Sequence, residues 1–373
     1  MADTLRDRLL AWRDRWLADL RFQEWSMGQW WARPVARRRA RRVFDLAAGF
    51  TYTQTLLAAL RLGLFDLLAP GPLTAAQLAA RTGLPTEAME RLLRACCALD
   101  LCDRRSGDRV GLGVLGAACV GRPALLAVAE HNVAMYRDLD DPLALLRGEP
   151  PAGREVAGLW RYVRRPPGAP LGAEDVAGYS AFAAATASLV LADVASAYPI
   201  AGHRRLLDVG GGEGQFLRAV ASHAPALELM LFDLPPVVER ARARFAEAGL
   251  ASRASLFGGD FRADPLPRGA DLVSLVRILH DHDDDDVARL LRAVHAALPP
   301  GGRLLVAEPM ADADRAEPVT DVYFMFFFLT FGQGRARRAG EIAALLRDAG
   351  FVRPRPLQAR APAHSTLLLA ERR

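Results

Sequence analysis

Lysine is missing altogether: the 48 basic residues of this 373-residue chain are all arginine. Asn and Ile are scarce as well, while Ala, Arg, Gly and Pro abound. A GC-rich coding bias produces that skew, so neither the formal net charge of +5 nor the arginine runs argue strongly for an acidic partner. Cysteine is sparse. Cys96, Cys97, Cys102 and Cys119 lie in apolar surroundings with no C-x-x-C pair and no neighbouring His, which argues against a disulfide framework or a thiolate metal site. Reduced core thiols and a cytoplasmic location are the expectation. No signal-like segment opens the sequence, and the longest apolar stretch, Val322 to Phe331, is too short to cross a bilayer. What is present, 51% hydrophobic residues, suffices for the cores of two domains.

The densest pattern begins at Leu206. The apolar run Leu206-Leu207-Asp208-Val209 passes into Gly210-Gly211-Gly212-Glu213-Gly214 and then Gln215-Phe216-Leu217, which reads as strand, glycine turn and helix. Residues without side chains let a ligand lie against backbone N–H groups at a helix start. A dinucleotide fingerprint from Gly210 and Gly212 demands a small residue at 215, where Gln215 stands, so NAD fits poorly. A second strand, Glu228 to Phe232, closes on Asp233, whose carboxylate suits two ribose hydroxyls. A third, Ala254 to Phe257, leads into Gly258-Gly259-Asp260-Phe261, where Asp260 suits an adenine amino group and Phe261 the ring face. The competing reading is that Asp233 and Asp260 only cap loops.

Further along, the strand Asp271 to Ile278 ends at Leu279-His280-Asp281-His282, followed by Asp283 to Asp286. Ligands of open α/β sheets lie at the carboxyl ends of strands, which puts His280 on the crevice side, either as a general base or as a strand-end hydrogen bonder. The acid run suits the start of the next helix. A metal site built from His280, Asp281, His282 and these acids needs a convergence that consecutive helix-start positions do not easily give, so no metal is expected. Strand Leu304 to Ala307 ends at Glu308 on the same side. The segment Asp321 to Phe331 packs six aromatic residues into eleven positions and reads as a buried helix, either plain core or the wall of a pocket for a long apolar substrate. A helix from Gly340 to Asp348 and a strand from Ser365 to Ala370 fit a final antiparallel hairpin.

Upstream, Trp12, Trp16, Trp25, Trp30 and Trp31 precede the basic run Arg33 to Arg42. Indole beside guanidinium suits a membrane interface, and it equally suits a helical arm packed on the body or on a second subunit. Phe44 to Leu68 has helical spacing broken at Gly63, Thr74 and Gln77 form a capping box, and a helix from Glu87 to Leu99 leads into a hairpin over 100–110. That order is a winged helix. DNA is disfavoured as a partner because Glu87, Glu90, Arg91 and Arg94 leave the second helix a neutral face with no Asn or Gln. Pro142 to Pro170 reads as loop with a helix around Trp160 and Tyr162, and Asp175 to Tyr198 as an amphipathic helix joining the two domains. The expected division is an arm over 1–45, a winged-helix domain over 46–175 and a ligand-binding α/β domain over 176–373.

The frame Asp208-x-Gly210-x-Gly212-x-Gly214 resembles the first motif of class I S-adenosylmethionine (SAM) methyltransferases. With Phe232-Asp233-Leu234-Pro235, Gly259-Asp260-Phe261, Leu279-His280-Asp281, Pro300-Gly301-Gly302 and Glu308 in order, residues 45–373 resemble the two-domain O-methyltransferases of the plant caffeate and flavonoid type. The resemblance implies a Rossmann-like, mostly parallel sheet with an antiparallel C-terminal edge strand, preceded by an all-α, winged-helix dimerisation domain, and a homodimer. It implies His280 as base and Glu308 as its orienting acid, with Asp208, Gly210, Gly212, Gly214, Asp233, Asp260, Phe261 and Arg277 around SAM. A second orienting Glu of that family falls at Ala336, and a Lys four residues before the base at Val276.

More specific still, the runs Arg33 to Arg41, Phe44 to Phe50, Gly259 to Arg262, Ser274 to Arg277 and Asp321 to Phe331 are similar to the bacterial demethylspheroidene O-methyltransferases. These methylate the tertiary hydroxyl of 1-hydroxycarotenoids in the carotenoid biosynthesis of purple phototrophs. The similarity implies a carotenoid slot walled by Tyr323, Phe324, Phe327 and Phe328, and an arm reaching the membrane interface where the polyene dissolves, so that the enzyme is cytoplasmic or peripheral to the membrane. The chemistry implied is in-line displacement: oxygen, methyl carbon and sulfur held in line, with His280 taking the hydroxyl proton and S-adenosylhomocysteine (SAH) released. The rival readings are a phenol or polyketide acceptor and a non-catalytic SAM-fold regulator acting through the winged helix.

Overall fold

The computed structural model describes residues 4–149, 153–160, 165, 166, 169, 172, 194, 196–311, 319–358 and 366–373. The chain falls into two compact units divided between Gly121 and Arg122.

In the first unit, Thr4 opens α1 (Leu5–Ala18) through a capping box with Asp7. The Asp19 side chain caps α2 (Leu20–Gly28), and α3 (Arg33–Arg61) starts with Pro34 in its first turn, where the missing N–H costs nothing. α3 is continuous through residue 45, so the arm and the residues after it share one helix. The break at Gly63 is present, at φ +60°, ahead of α4 (Leu64–Leu68). β1 (Leu73–Thr74) leads into α5 (Ala75–Thr82), capped by the expected Thr74 and Gln77 pair, and α6 (Thr86–Ala98) follows. The hairpin is β2 (Cys102–Arg105) and β3 (Arg109–Leu112), in sheet order β1-β3-β2. Leu64, Phe65, Leu78, Met89, Leu93, Cys96 and Cys102 fill the core of this winged helix, and the cysteines are unbridged.

The second unit is built on β4 (Arg205–Val209), β5 (Glu228–Asp233), β6 (Ala254–Gly258), β7 (Leu272–Val276), β8 (Arg303–Glu308), β9 (Phe351–Leu357) and β10 (Thr366–Arg372). Their order is β6-β5-β4-β7-β8-β10-β9. The strands β4 to β8 pair in parallel, and β10 is antiparallel to both neighbours, so the last strand slots inside and β9 forms the edge. Both faces of β4, β5, β7, β8 and β10 are buried, which is why these strands read as apolar runs, whereas β6 and β9 are more exposed. On β4, Leu206 joins Phe216 and Leu217 of the helix Gln215–His223, whereas Leu207 and Val209 join Leu290 and Leu291 of the helix Asp284–Ala297 on the opposite face. Chain order reverses between β4 and β7, and that switch point is where an open α/β sheet forms its ligand crevice.

The C-terminal strand, expected at the edge, lies one place inside it, and two further expectations run into the limit of the described residues. The helix near Trp160 spans Glu155–Leu159 and ends at Trp160, while Tyr162 lies outside the described residues. Most of the expected helix from Asp175 to Tyr198 lies outside them too. The aromatic segment opens with a π-helical turn, Val319–Tyr323, before the α-helix Phe324–Phe331.

Candidate active site

β4 delivers the glycine turn to the switch point. Gly210, Gly212 and Gly214 all have positive φ, of +69°, +59° and +77°. Their N–H groups are consumed internally: Gly210 donates to the Phe232 carbonyl at 2.8 Å, Gly212 to Asp233 Oδ2 at 2.8 Å and Gly214 to the Gly211 carbonyl at 3.0 Å. What these three glycines supply is therefore conformation and close approach. At Gly214 a Cβ would stand 2.2 Å from the Phe245 ring. Glu213, almost fully buried, pins the turn to the helix Pro235–Glu247 through Arg240 at 2.7 Å and Arg244 at 3.2 Å.

A narrow cleft, open to solvent, lies against this turn. Gly210, Phe232, Asp233, Gly259, Asp260, Phe261, Ile278, Asp281 and His282 line it, among others. Gly210, Asp233, Asp260 and Phe261 are thus brought together. Asp208, Gly212, Gly214 and Arg277 are not among the lining residues. Asp208 sits beneath the turn, accepting from Ser274 Oγ at 2.6 Å, and burial pushes its carboxyl up to about 7 against that hydrogen bond. Burial likewise raises Asp233 to about 6, although its two oxygens accept the N–H groups of Gly212 and Leu234. Arg277 adopts φ +55°, unusual for a side-chain-bearing residue, donates its N–H to the Ala307 carbonyl, and bears electrostatically on His280, Asp281 and Tyr323.

Past β7, His280 sits in a short 3₁₀ turn, 6% exposed. Glu308, at the end of β8 and 2% exposed, pairs one carboxylate oxygen with His280 Nδ1. The other oxygen accepts the N–H groups of Ile278 at 2.9 Å and Leu279 at 2.7 Å. One carboxylate therefore fixes both the ring and the backbone that carries it. The second nitrogen, Nε2, stands 3.3 Å from Asp281 Oδ1, an oxygen with no hydrogen-bond partner among the described residues. Burial works to lower the His280 pKa, but Asp281 and then Glu308 outweigh it and the net shift is upward. Burial raises Asp281 as well. Sequence reasoning left Asp281 out of the site; its place beside a candidate base was the available signal.

It also missed the strap that holds this turn. Arg337, 2% exposed, donates to the carbonyls of Leu279 at 2.6 Å and His282 at 2.7 Å and pairs with Asp284. Gln333 donates to the Asp281 carbonyl, and Arg335 N–H to that of His280, both at 3.0 Å. Gly334, at φ +71°, allows the approach, because a Cβ there would stand 2.1 Å from the His280 oxygen.

The aromatic helix supplies a wall. Phe324 and Phe328 bring their rings to 6.1 and 5.8 Å from the imidazole, and Phe327 and Phe331 pack on Trp160. Tyr323 donates to Asn132 Oδ1 at 2.9 Å, and burial pushes its phenol up to about 12. Phe328 also borders a second cavity of about 620 Å³, lined by Leu145, Leu146, Met325 and Leu329 among others. Among the described residues no group of three or more His, Cys, Asp or Glu is placed to hold a metal ion.

Comparison with known proteins gives a consistent answer. The family model of the O-methyltransferase domain matches residues 172–352, and that of the O-methyltransferase dimerisation domain residues 44–119. The chain is 46% identical over 319 residues to the demethylspheroidene O-methyltransferase of Cereibacter sphaeroides, covering 86% of this chain and 83% of that protein. It is 40% identical over 344 residues to its namesake in Rhodobacter capsulatus, covering 91% and 84%. Human N-acetylserotonin methyltransferase, crystallised with SAM, superposes with a TM-score of 0.72 at 27% identity, covering 90% of this chain and 97% of that one.

Proposed function

Because the chain belongs to the O-methyltransferase family, whose members join a dimerisation domain to a SAM-binding domain, we propose that it methylates the tertiary hydroxyl of a 1-hydroxycarotenoid. It is a SAM-dependent O-methyltransferase, and its dimerisation domain supports a homodimer. The substrate class rests on the aromatic wall, which presents Phe324 and Phe328 to His280, together with the substrate for which the two bacterial relatives are named.

The cleft fits the donor. Asp233 offers ribose an acid, and Phe232 and Phe261 offer adenine apolar surface. In this reading Gly210, Asp233 and Phe261 hold the donor, Asp208, Gly212 and Gly214 shape the turn beneath it, and Arg277 tunes the charge around the base. Bound SAM supplies a methyl group made electrophilic by its sulfonium. Glu308 fixes the imidazole in orientation, and His280 Nε2 takes the acceptor proton, a general-base contribution of about 10²-fold or more. A tertiary alcohol is a weak acid, so His280 receives the proton late, and Asp281 beside Nε2 stabilises the imidazolium that results. Tyr323, Phe324, Phe327 and Phe328 keep water from the polyene and its hydroxyl.

The arm serves the same substrate. Trp12, Trp25, Trp30 and Trp31 are 57, 48, 81 and 58% exposed, and residues 1–42 carry eleven arginines against five acids. No helix among the described residues is long and apolar enough to cross a membrane. An exposed indole and guanidinium surface of this kind rests at the headgroup layer, where a dissolved polyene is within reach, so the enzyme works peripherally from the cytoplasmic side. Flotation with anionic vesicles should carry the full chain upward and spare a Trp12→Ala, Trp30→Ala, Trp31→Ala variant; equal flotation of both removes this role. The substrate is tested with methyl-labelled SAM, a 1-hydroxycarotenoid and a panel of phenols. Label is expected in a chromatographically resolved carotenoid ether, and label on phenols alone would replace the substrate class.

A further inference from the structure

The turn that carries His280 does little to hold its own shape. Its internal bonds are long, from the Asp281 N–H to the Ile278 carbonyl at 3.3 Å and from the His282 N–H to that of Leu279 at 3.4 Å. A 3₁₀ turn this short leaves most of its carbonyls to be satisfied from outside. One loop takes them in succession. Leu279 and His282 accept from Arg337 Nη1 at 2.6 Å and Nη2 at 2.7 Å, His280 from the Arg335 N–H at 3.0 Å, and Asp281 from Gln333 Nε2 at 3.0 Å. Glu308 holds the N–H side through Ile278 and Leu279. The backbone of the base turn is thus gripped from both sides, by a carboxylate at the end of β8 and by residues 333–337.

Within that loop Arg337 makes the firmest contacts. Its side chain is 1% exposed, whereas Asp284, the acid it pairs with, is 55% exposed. Nε donates to Asp284 at 2.8 Å, while the two terminal nitrogens reach carbonyls on either side of His280. A flat fork of N–H groups spans two separated carbonyls and an acid at once; an ammonium, with its donors on one atom, does not. Just beyond, the Arg338 N–H bonds Glu341 in the first turn of the helix Ala339–Asp348, whose Ile342 and Leu346 sit in the core against the sheet. The carbonyl side of the base turn is therefore tied to a fixed element. We propose that Arg337 is a positioning residue for methyl transfer, acting through the backbone of the turn to set where the His280 imidazole stands before the acceptor hydroxyl. Glu308 fixes the orientation of the ring; Arg337 fixes the chain that carries it. A displacement of about 1 Å at a reacting group costs roughly 10²-fold in rate, so the second hold matters as much as the first.

The inference rests on His280 being the base, and a double-mutant cycle separates the two. Turnover of the acceptor that the wild type methylates is measured per SAH-binding site, counted by calorimetry, in Arg337→Gln, Arg337→Lys, Gln333→Ala, His280→Ala and the His280→Ala, Arg337→Gln pair. Arg337→Gln should lower kcat roughly tenfold to a hundredfold with acceptor KM and SAH affinity within about twofold, because proton transfer is misaligned while binding is untouched. Arg337→Lys, which keeps the charge and one carbonyl contact, should recover part of that loss. Added to His280→Ala, Arg337→Gln should cost nothing further, since the group it acts through is gone. A wild-type kcat per site in Arg337→Gln, a rise in KM alone, or an equal second loss in the His280→Ala background overturns the proposal. If Arg337→Gln does not fold, Arg337→Lys and Gln333→Ala decide: kcat lower by about threefold or more at unchanged KM upholds the proposal, and wild-type kcat in both overturns it. A wild-type kcat in His280→Ala overturns the base reading beneath it.

Discussion

Two histidine–carboxylate pairs stand at opposite ends of one sheet, and they differ in what they leave unsatisfied. At the amino ends, His203 places Nδ1 3.0 Å from Asp271 and Nε2 2.7 Å from the Tyr198 hydroxyl. Asp271 also accepts the N–H groups of Arg204 and Arg205, and despite its partial burial these bonds, followed by that of His203, hold its carboxyl below the usual range. Nothing in that pair remains to be bonded. At the carboxyl ends, Glu308 occupies one nitrogen of His280, the other faces Asp281 without a hydrogen bond, and the imidazole is shifted upward. A buried His beside an acid is thus no mark of chemistry in itself. Unspent bonding capacity at the switch point is.

The contrast can be broken most severely at His280→Ala. Turnover should fall about 10²-fold or more while SAH affinity, measured by calorimetry, stays within about twofold, since the loss is confined to proton transfer. Glu308→Gln should come next, with kcat down roughly tenfold to a hundredfold. The amide keeps an acceptor for Ile278 and Leu279 but gives up the charge that raises the imidazole, so the acid limb of the rate profile should move to lower pH. Gly334→Ala forces a Cβ against the His280 carbonyl from a left-handed position and should cost about 1–3 kcal/mol in chemical denaturation, with a smaller loss of kcat as the strap lifts. Least affected should be Asp271→Asn: unchanged kcat, and about 1 kcal/mol of stability lost at neutral pH. Because the Asp271 pKa is depressed on folding, its contribution is full above about pH 3.9 and is lost as the pH falls through the folded value, a dependence the Asn variant should lack.

Much of this was legible in the chain. The central strands of the second unit announced themselves as apolar runs because both faces are buried there, and β5, β7 and β8 lead to Asp233, His280 and Glu308, which the topology carries to one edge. The Thr74 and Gln77 box and the Gly63 break were readable because a cap and a positive φ are local demands. Long-range pairing was not. Arg262 on Asp260 and Arg337 on the His280 turn were hidden in a sequence whose arginine runs had to be discounted, since only the fold shows which guanidinium groups are buried. His282 and Asp281 read as the approach to an acidic helix start; their burial, and the atoms they leave unpaired, exist only in three dimensions.

The account depends above all on His280 being the base, and the pH dependence of single-turnover methyl transfer to a 1-hydroxycarotenoid tests that most directly. The rate should rise with pH through a midpoint above the ordinary imidazole value of about 6.5, and His280→Ala should lose that limb along with most of its rate. A rate flat over about pH 5 to 9, or the same limb surviving in His280→Ala, would contradict it.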